Sequence, residues 1–258
     1  MRDNHLNSYE DTIRTDLLFW HRKMTSAPSF TDRLSKRVQD KINGYIPEKV
    51  HKAITLTMEK LFKAVLFGAE YTTGRKMTNG TLVYREAYVR NQITFYQKTA
   101  SLEGAVTGAG GLLMGLADFP VLIGLKMKLL FDIASLYGFD VKDYRERLYI
   151  LYIFQLAFSS QQRRNEVYQH ISSWNDFAKT LPERAEDFDW RSFQQEYRDY
   201  IDLAKMAQLV PVIGAAVGAI ANYKLVAQLG ETAMNCYRLR LLGHLLSNSN
   251  ENPYPFNE

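Results

Sequence analysis

Glu48 and His51 stand three residues apart, a spacing that sets a carboxylate and an imidazole on one face of a helix. Di-metal helical bundles need two such pairs and two further glutamates. The chain has no second Glu-x-x-His, so this pair alone does not make a metal centre. Glu166 and His170, one turn apart, read as a surface pair, and His5, His21 and His244 show no ligand spacing. Nucleophilic chemistry finds no Gly-x-Ser-x-Gly elbow. The single cysteine, Cys236, lies on a helical pattern between Met234 and Tyr237 and reads as a small core hydrophobe. One cysteine also excludes an internal disulfide and a cysteine-based zinc site. Neither GxGxxG nor GxxxxGK[ST] is present, which leaves nucleotide binding without support. No metal and no cofactor are expected. The polar residues with a candidate role beyond folding are Asp118, Asp140 and Asn222. Each has a structural reading too: the two aspartates suit helix caps, and Asn222 suits a hydrogen bond across a tight helix pair.

Those three residues belong to, or flank, the least ordinary stretches of the chain. In GAVTGAGGLLMGLADFP, Gly104, Gly108, Gly111, Gly115 and Asp118 follow one another at steps of 4, 3, 4 and 3. On a continuous helix they form one narrow stripe. Glycine costs an isolated helix about 1 kcal/mol relative to alanine, so the stripe must be offset by close packing or by a break. Asp118 as N-cap, with Pro120 in the following turn, predicts the break and a new helix over 119–137. That helix carries Lys126 and Lys128 and can pack as a core helix on its other face. A second segment, LVPVIGAAVGAIA, repeats the theme with Gly214, Gly218 and Asn222. Three readings stay open: small-residue helices packed inside a soluble bundle, insertion into or docking on a membrane, and a pocket for an apolar or anionic ligand. Residues 105–125 could just span a hydrocarbon layer at about 1.5 Å per residue, although Asp118 and Pro120 count against a plain span.

The elements that must position these segments are helical. The chain has 258 residues, 46% hydrophobic and 23% charged, enough for one substantial core. No Asn-Gly or Asp-Gly hairpin joins two apolar runs. Ser8 can cap a helix over about 9–25 with Ile13, Leu17, Trp20 and Met24 on one face. Leu34, Val38 and Ile42 mark a thinner stripe. Pro47 starts a helix whose apolar face includes Ile54, Met58, Leu61, Phe62 and Val65, and residues 69–80 read as a loop. A helix follows over about 82–100. Leu136-Tyr137-Gly138 closes the helix after the first glycine-rich segment, and Asp140 can cap the next. From Leu148 to Phe158 that next segment is apolar all round except for Gln155, which predicts burial, with a strand left open. Helical patterns return over 161–182 and from Asp189 to Leu209, where Phe193, Tyr197, Ile201 and Ala204 align. Pro211 breaks or starts a helix, and a last helix reaches about Leu246. The expected organisation is one domain over 1–246, with basic amphipathic helices in 1–100 and glycine-rich core helices in 101–246, then a disordered tail over 247–258.

Residues 1–100 hold 17 Lys and Arg against 10 Asp and Glu, and the remainder is slightly acidic. A basic half could meet an acidic partner or an anionic membrane, or could simply be solvated. Aromatic-interleaved basic clusters and nucleic-acid motifs are missing, so nucleic acid is not an expected partner. The amino terminus is polar and unlike a signal peptide, which points to a reducing compartment.

Thr107-Gly108-x-Gly110-Gly111, Gly115-x-x-Asp118-x-Pro120 and Leu136-Tyr137-Gly138-Phe139-Asp140, followed by Pro211-Val212-Ile213-Gly214-Ala215-Ala216-Val217-Gly218 and Asn222, carry a resemblance. In order and spacing the chain resembles the EcsC family of bacterial proteins. The helical patterns predict an all-α, single-domain bundle of about eight to ten helices with two glycine-rich central helical segments, and the resemblance implies a helical protein, cytoplasmic or associated with the inner face of the cell membrane. The family takes its name from a product encoded beside an ABC-type exporter, which implies a role near membrane transport. It brings no established reaction and no catalytic residue. The expected function is a non-enzymatic, membrane-associated accessory protein whose partner is membrane lipid or a membrane protein. The alternative is an all-helical enzyme or lipid-binding protein with a site near Asp118 and Asn222.

Overall fold

A computed structural model describes residues 2–26, 48–67, 76–109, 111–159, 163–193, 195 and 215–243. Among the described residues the chain is all-α, without a β-strand. The helices are α1 (Arg2–Thr25), α2 (Glu48–Phe67), α3 (Leu82–Ala109), α4 (Gly111–Tyr137), α5 (Tyr144–Phe158), α6 (Arg164–Ser172), α7 (Trp174–Thr180) and α8 (Ala215–Leu242). A 3-10 turn covers Ala185–Asp187. The stripe over Leu34, Val38 and Ile42, the residues Tyr197, Ile201, Ala204, Pro211 and Gly214, and the tail over 247–258 lie outside the described residues.

Three long helices form the frame. α8 lies along α3, α4 flanks both, and α1, α2, α5 and α6 close around them. α1 starts earlier than Ser8, but Ile13, Leu17, Trp20 and Met24 all point inward as their spacing predicts. α2 buries Ile54, Met58, Leu61 and Val65. The segment 148–158 is a helix, not a strand, and every residue in it is buried. Each fully buried Leu, Ile or Phe there contributes about 1.5–3 kcal/mol. The N-cap of α5 is Asp143, whose carboxylate accepts the Arg145 amide at 2.9 Å, in place of the expected Asp140. Asp140 is exposed and only tightens the preceding turn, accepting the Lys142 amide at 3.0 Å.

Gly138 ends α4 as expected, with φ +92°. Its amide donates to Ser135 O and the Phe139 amide to Ala134 O, both at 3.0 Å, the paired bonds of a Schellman ending. Arg85 adds a donor from α3, its Nη1 lying 2.6 Å from Tyr137 O. A side chain at 138 would meet both the left-handed backbone and that guanidinium.

A close contact between α3 and α8 uses Gly230, which the glycine-rich segments do not include. A Cβ there would lie 2.6 Å from Ile93 Cγ1 and 3.0 Å from Ile93 Cγ2. Gly230→Ala is therefore expected to lose about 1–3 kcal/mol through overpacking, despite alanine's better helix propensity. Combining it with Ile93→Ala should recover part of that loss. Urea unfolding of the two variants checks both values.

Candidate functional site

The first glycine-rich segment is two helix ends. Gly104 and Gly108 belong to the last turns of α3, Gly111 opens α4, and Gly115 follows one turn later. The stripe is thus divided between two chain directions. Asp118 does not cap a helix: α4 runs unbroken from Gly111 to Tyr137, with half-buried Asp118 in its second turn and exposed Pro120 inside it. Proline in a helix interior costs about 3 kcal/mol, which the buried neighbours Phe119, Leu122 and Ile123 offset. Gly218 falls in the first turn of α8.

Asn222, one turn further along α8, is the predicted site residue with an informative neighbour. It is fully buried, and its Oδ1 accepts a hydrogen bond from Lys126 Nζ at 3.0 Å. Lys126 does not occupy a polar face of α4. It is 0% exposed, and its ammonium also points at Leu122 O, 3.4 Å away. Burial drives its pKa down to about 7, against a smaller upward pull from Glu103. Asp118, Asp140 and Asn222 therefore do not converge: one is half-buried in α4, one is in an exposed turn, and one pairs with a lysine.

The buried charges that do converge lie at the opposite end of the frame. Glu86, on the apolar face of α3, is fully buried. It receives Arg238 Nε at 2.7 Å and Nη2 at 2.5 Å, Tyr9 Oη at 2.7 Å and Tyr137 Oη at 3.1 Å. Four helices, α1, α3, α4 and α8, thereby share one carboxylate. Burial alone would raise the Glu86 pKa, but the Arg238 guanidinium and the two hydroxyls hold it below the usual range. A second cluster ties α5 to α8: Glu146 accepts Arg240 Nη1 at 2.5 Å and Tyr237 Oη at 2.6 Å. There burial outweighs the arginine and pushes the Glu146 carboxyl up. Arg240 also lies over the Phe139 ring at 4.1 Å, and Tyr137 stacks on Tyr237.

Above Glu86 a cleft of about 630 Å³ opens between α1, α3 and α8. Arg238 and Asn235 lie in it, with Trp20, Met234 and Ile93 as apolar surface and Lys23 and Arg90 as further cations. A second, smaller cleft of about 260 Å³ lies between α2 and α4, with Leu56, Lys60, Pro120 and Ile123 among its walls. Neither is lined by Asp118 or Asn222. Cys236 is fully buried, and burial pushes its thiol pKa well up, which suits a core hydrophobe and not a nucleophile.

The family model described as the EcsC protein family matches residues 11–242, a range that takes in the charged residues of both buried clusters and the Lys126–Asn222 pair. The chain belongs to the EcsC family. It is 45% identical to "Protein EcsC" of Bacillus subtilis (strain 168), over 94% of this chain and 98% of that protein. A second relative, "Uncharacterized protein YdbA" of the same organism, is 27% identical over 82% of this chain and 85% of its own. No solved structure matches the chain. Within this EcsC-family bundle, Lys126, Glu86, Arg238, Glu146 and Arg240 were not among the residues singled out by motif. A signal was available for two of them: Glu86 falls in step with Leu82, Val89, Ile93, Tyr96 and Ala100, and Lys126 with Phe119, Ile123, Leu130 and Ile133. A charge in the middle of an apolar face is a buried charge.

Proposed function

We propose that this EcsC-family protein is a non-enzymatic accessory protein that docks peripherally on a membrane, in the service of a membrane protein such as an ABC-type exporter. The contact is made by the end of the bundle where α3 meets α4 and α8 begins. The supporting observation is a set of exposed apolar side chains there, among the described residues. The pairs Glu86–Arg238 and Ile93–Gly230 give α3 and α8 an antiparallel register, which sets Leu102 level with Ile220. Lys126–Asn222 and the α2–α4 cleft bring Val121 and Leu56 to the same end. Leu102 is 70% exposed, and Val121, Ile220, Tyr223 and Leu56 are exposed as well. Exposed apolar groups drawn from four helices to one end of a molecule mark an interaction surface. The exposed lysines Lys60, Lys98 and Lys224 belong to the same helices and favour an anionic lipid surface. No helix among the described residues is long and apolar enough to cross a membrane, so the proposed contact is docking. The buried carboxylates Glu86 and Glu146 are bound by Arg238 and Arg240 across helices, an arrangement suited to holding a frame.

Flotation with vesicles of phosphatidylcholine and phosphatidylglycerol tests the reading. The protein is expected to float with vesicles containing the anionic lipid. Leu102→Asp combined with Ile220→Asp should leave it at the bottom with an unchanged melting temperature, since both positions are at the surface. A wild-type protein that stays at the bottom with every vesicle composition overturns it.

A further inference from the structure

The cleft between α1, α3 and α8 has a chemical bias. Its deepest polar groups are donors. Arg238, 5% exposed, uses Nε and Nη2 on Glu86, while its Nη1 reaches only 3.5 Å contacts, to Asp16 Oδ2 and Asn235 Oδ1. Those contacts are at the outer limit of a hydrogen bond, so Nη1 retains donor capacity. Asn235 lines the cleft and is 6% exposed, yet among the described residues its Nδ2 has no acceptor. Trp20 is 9% exposed, lines the same cleft, and its indole N–H likewise has no acceptor among the described residues. Two cations stand nearer the mouth: Arg90, whose closest carboxylate oxygen is 3.7 Å away on Glu86, and exposed Lys23.

Two carboxylates also line the cleft: Asp16 is half exposed and touches Arg238 at 3.5 Å, and Glu231 is exposed. The remaining wall is apolar: Ile93, Met234, Ala227 and the Trp20 ring, with Phe19 exposed at the rim. At about 630 Å³ the cleft falls within the usual range for small-molecule sites.

We propose that this cleft binds a small amphiphilic anion, a single carboxylate or phosphate on an apolar body. Arg238 Nη1, Asn235 Nδ2 and Trp20 Nε1 hold the anionic head, Arg90 and Lys23 supply charge from the mouth, and the Ile93–Met234 wall takes the hydrocarbon. The site does not rest on membrane docking. By the α3–α8 register it lies around Ile93 and Arg238, away from the Leu102–Ile220 end.

Calorimetric titration of the full chain with dodecanoate, dodecyl phosphate and dodecanol, each below its aggregation concentration, tests the proposal. At least one of the anions is expected to bind one to one and about tenfold or more tighter than dodecanol. Which anion binds better identifies the head group. Lys23→Ala with Arg90→Ala, both at exposed positions, should weaken the anion about tenfold and leave dodecanol unchanged. Trp20→Phe keeps an aromatic ring, though a smaller one, and removes the indole donor, and should weaken the anion more than dodecanol. The docking variant Leu102→Asp/Ile220→Asp should bind as the wild type does, which separates the two sites. Equal affinity for dodecanol and both anions, no binding of either anion, or a Lys23/Arg90 double variant that binds like the wild type overturns the proposal.

Discussion

Glu86→Ala should destabilise the protein by about 3–5 kcal/mol, because it leaves the Arg238 guanidinium buried without its carboxylate. Arg238 is 5% exposed, and its remaining contacts are to Asp16 and Asn235 at 3.5 Å. The same change removes the acceptor of the Tyr9 and Tyr137 hydroxyls, the second of them fully inside the core. The loss measures a stranded cation, not the worth of the pair. Glu86→Leu combined with Arg238→Met should therefore be much less damaging than Glu86→Ala, since well-packed apolar residues replace a buried pair at little or no cost. Urea unfolding at neutral pH separates the cases. A double variant as unstable as Glu86→Ala would show that the network itself, and not the uncompensated charge, holds the four helices together. Acid works in the same direction. Glu86 has a folded pKa below its usual value, so its contribution is complete above the ordinary carboxylate range and fades as pH falls through the folded pKa.

Much of the frame was legible because it rests on periodicity. Ile13, Leu17, Trp20 and Met24 repeat at helical steps and are buried together, and 148–158 has no polar face to expose except Gln155. Gly138 was legible because few residues other than glycine tolerate its positive φ. Local signals failed where two neighbours offered the same chemistry. Asp140 and Asp143 each accept the amide two residues on, and the choice depends on which of those amides belongs to the helix: Arg145 is in the first turn of α5, whereas Lys142 is in the turn before it. Asp118 and Pro120 look like a helix start, but tertiary burial of Phe119, Leu122 and Ile123 carries α4 through the proline. The glycine stripe was read on one helix, whereas α3 ends at Ala109 and α4 begins at Gly111. Among the candidate site residues, Asn222 bonds across a helix pair, which is its structural reading and not the role beyond folding that makes it a candidate, with Lys126 as the donor. The cleft could not be read from sequence at all, since Trp20, Arg90 and Asn235 are brought together only by the packing of α1 and α8 on α3.

Lys126 gives the bundle a pH dependence of unusual sign for a lysine with a hydrogen-bond partner. Its folded pKa is about 7, against an ordinary value of 10.5, because burial disfavours the ammonium more than Asn222 and Glu103 favour it. Below pH 7 both folded and unfolded chains are protonated there, and the folded state carries the cost of a desolvated charge. Between pH 7 and 10.5 the unfolded chain holds a proton that the folded chain has released, so stability rises with pH. At 1.36 kcal/mol per pKa unit the rise from pH 7 to 9 amounts to roughly 2 kcal/mol. Other groups act in that range: Cys236, whose folded pKa lies well above 9.0, lowers stability once the unfolded thiol ionises. The comparison with Lys126→Met cancels such terms. Methionine keeps a flexible apolar stem of similar length and removes the charge. At pH 6 the variant should be the more stable protein, because no ammonium is buried. Near pH 9 the advantage should shrink or reverse, because the neutral amine of the wild type still serves Asn222 Oδ1 and methionine does not. Urea midpoints of the two proteins measured at half-unit steps from pH 6 to pH 9 should therefore converge or cross. Parallel curves would mean that the amine keeps its proton throughout, with Glu103 offsetting the cost of burial.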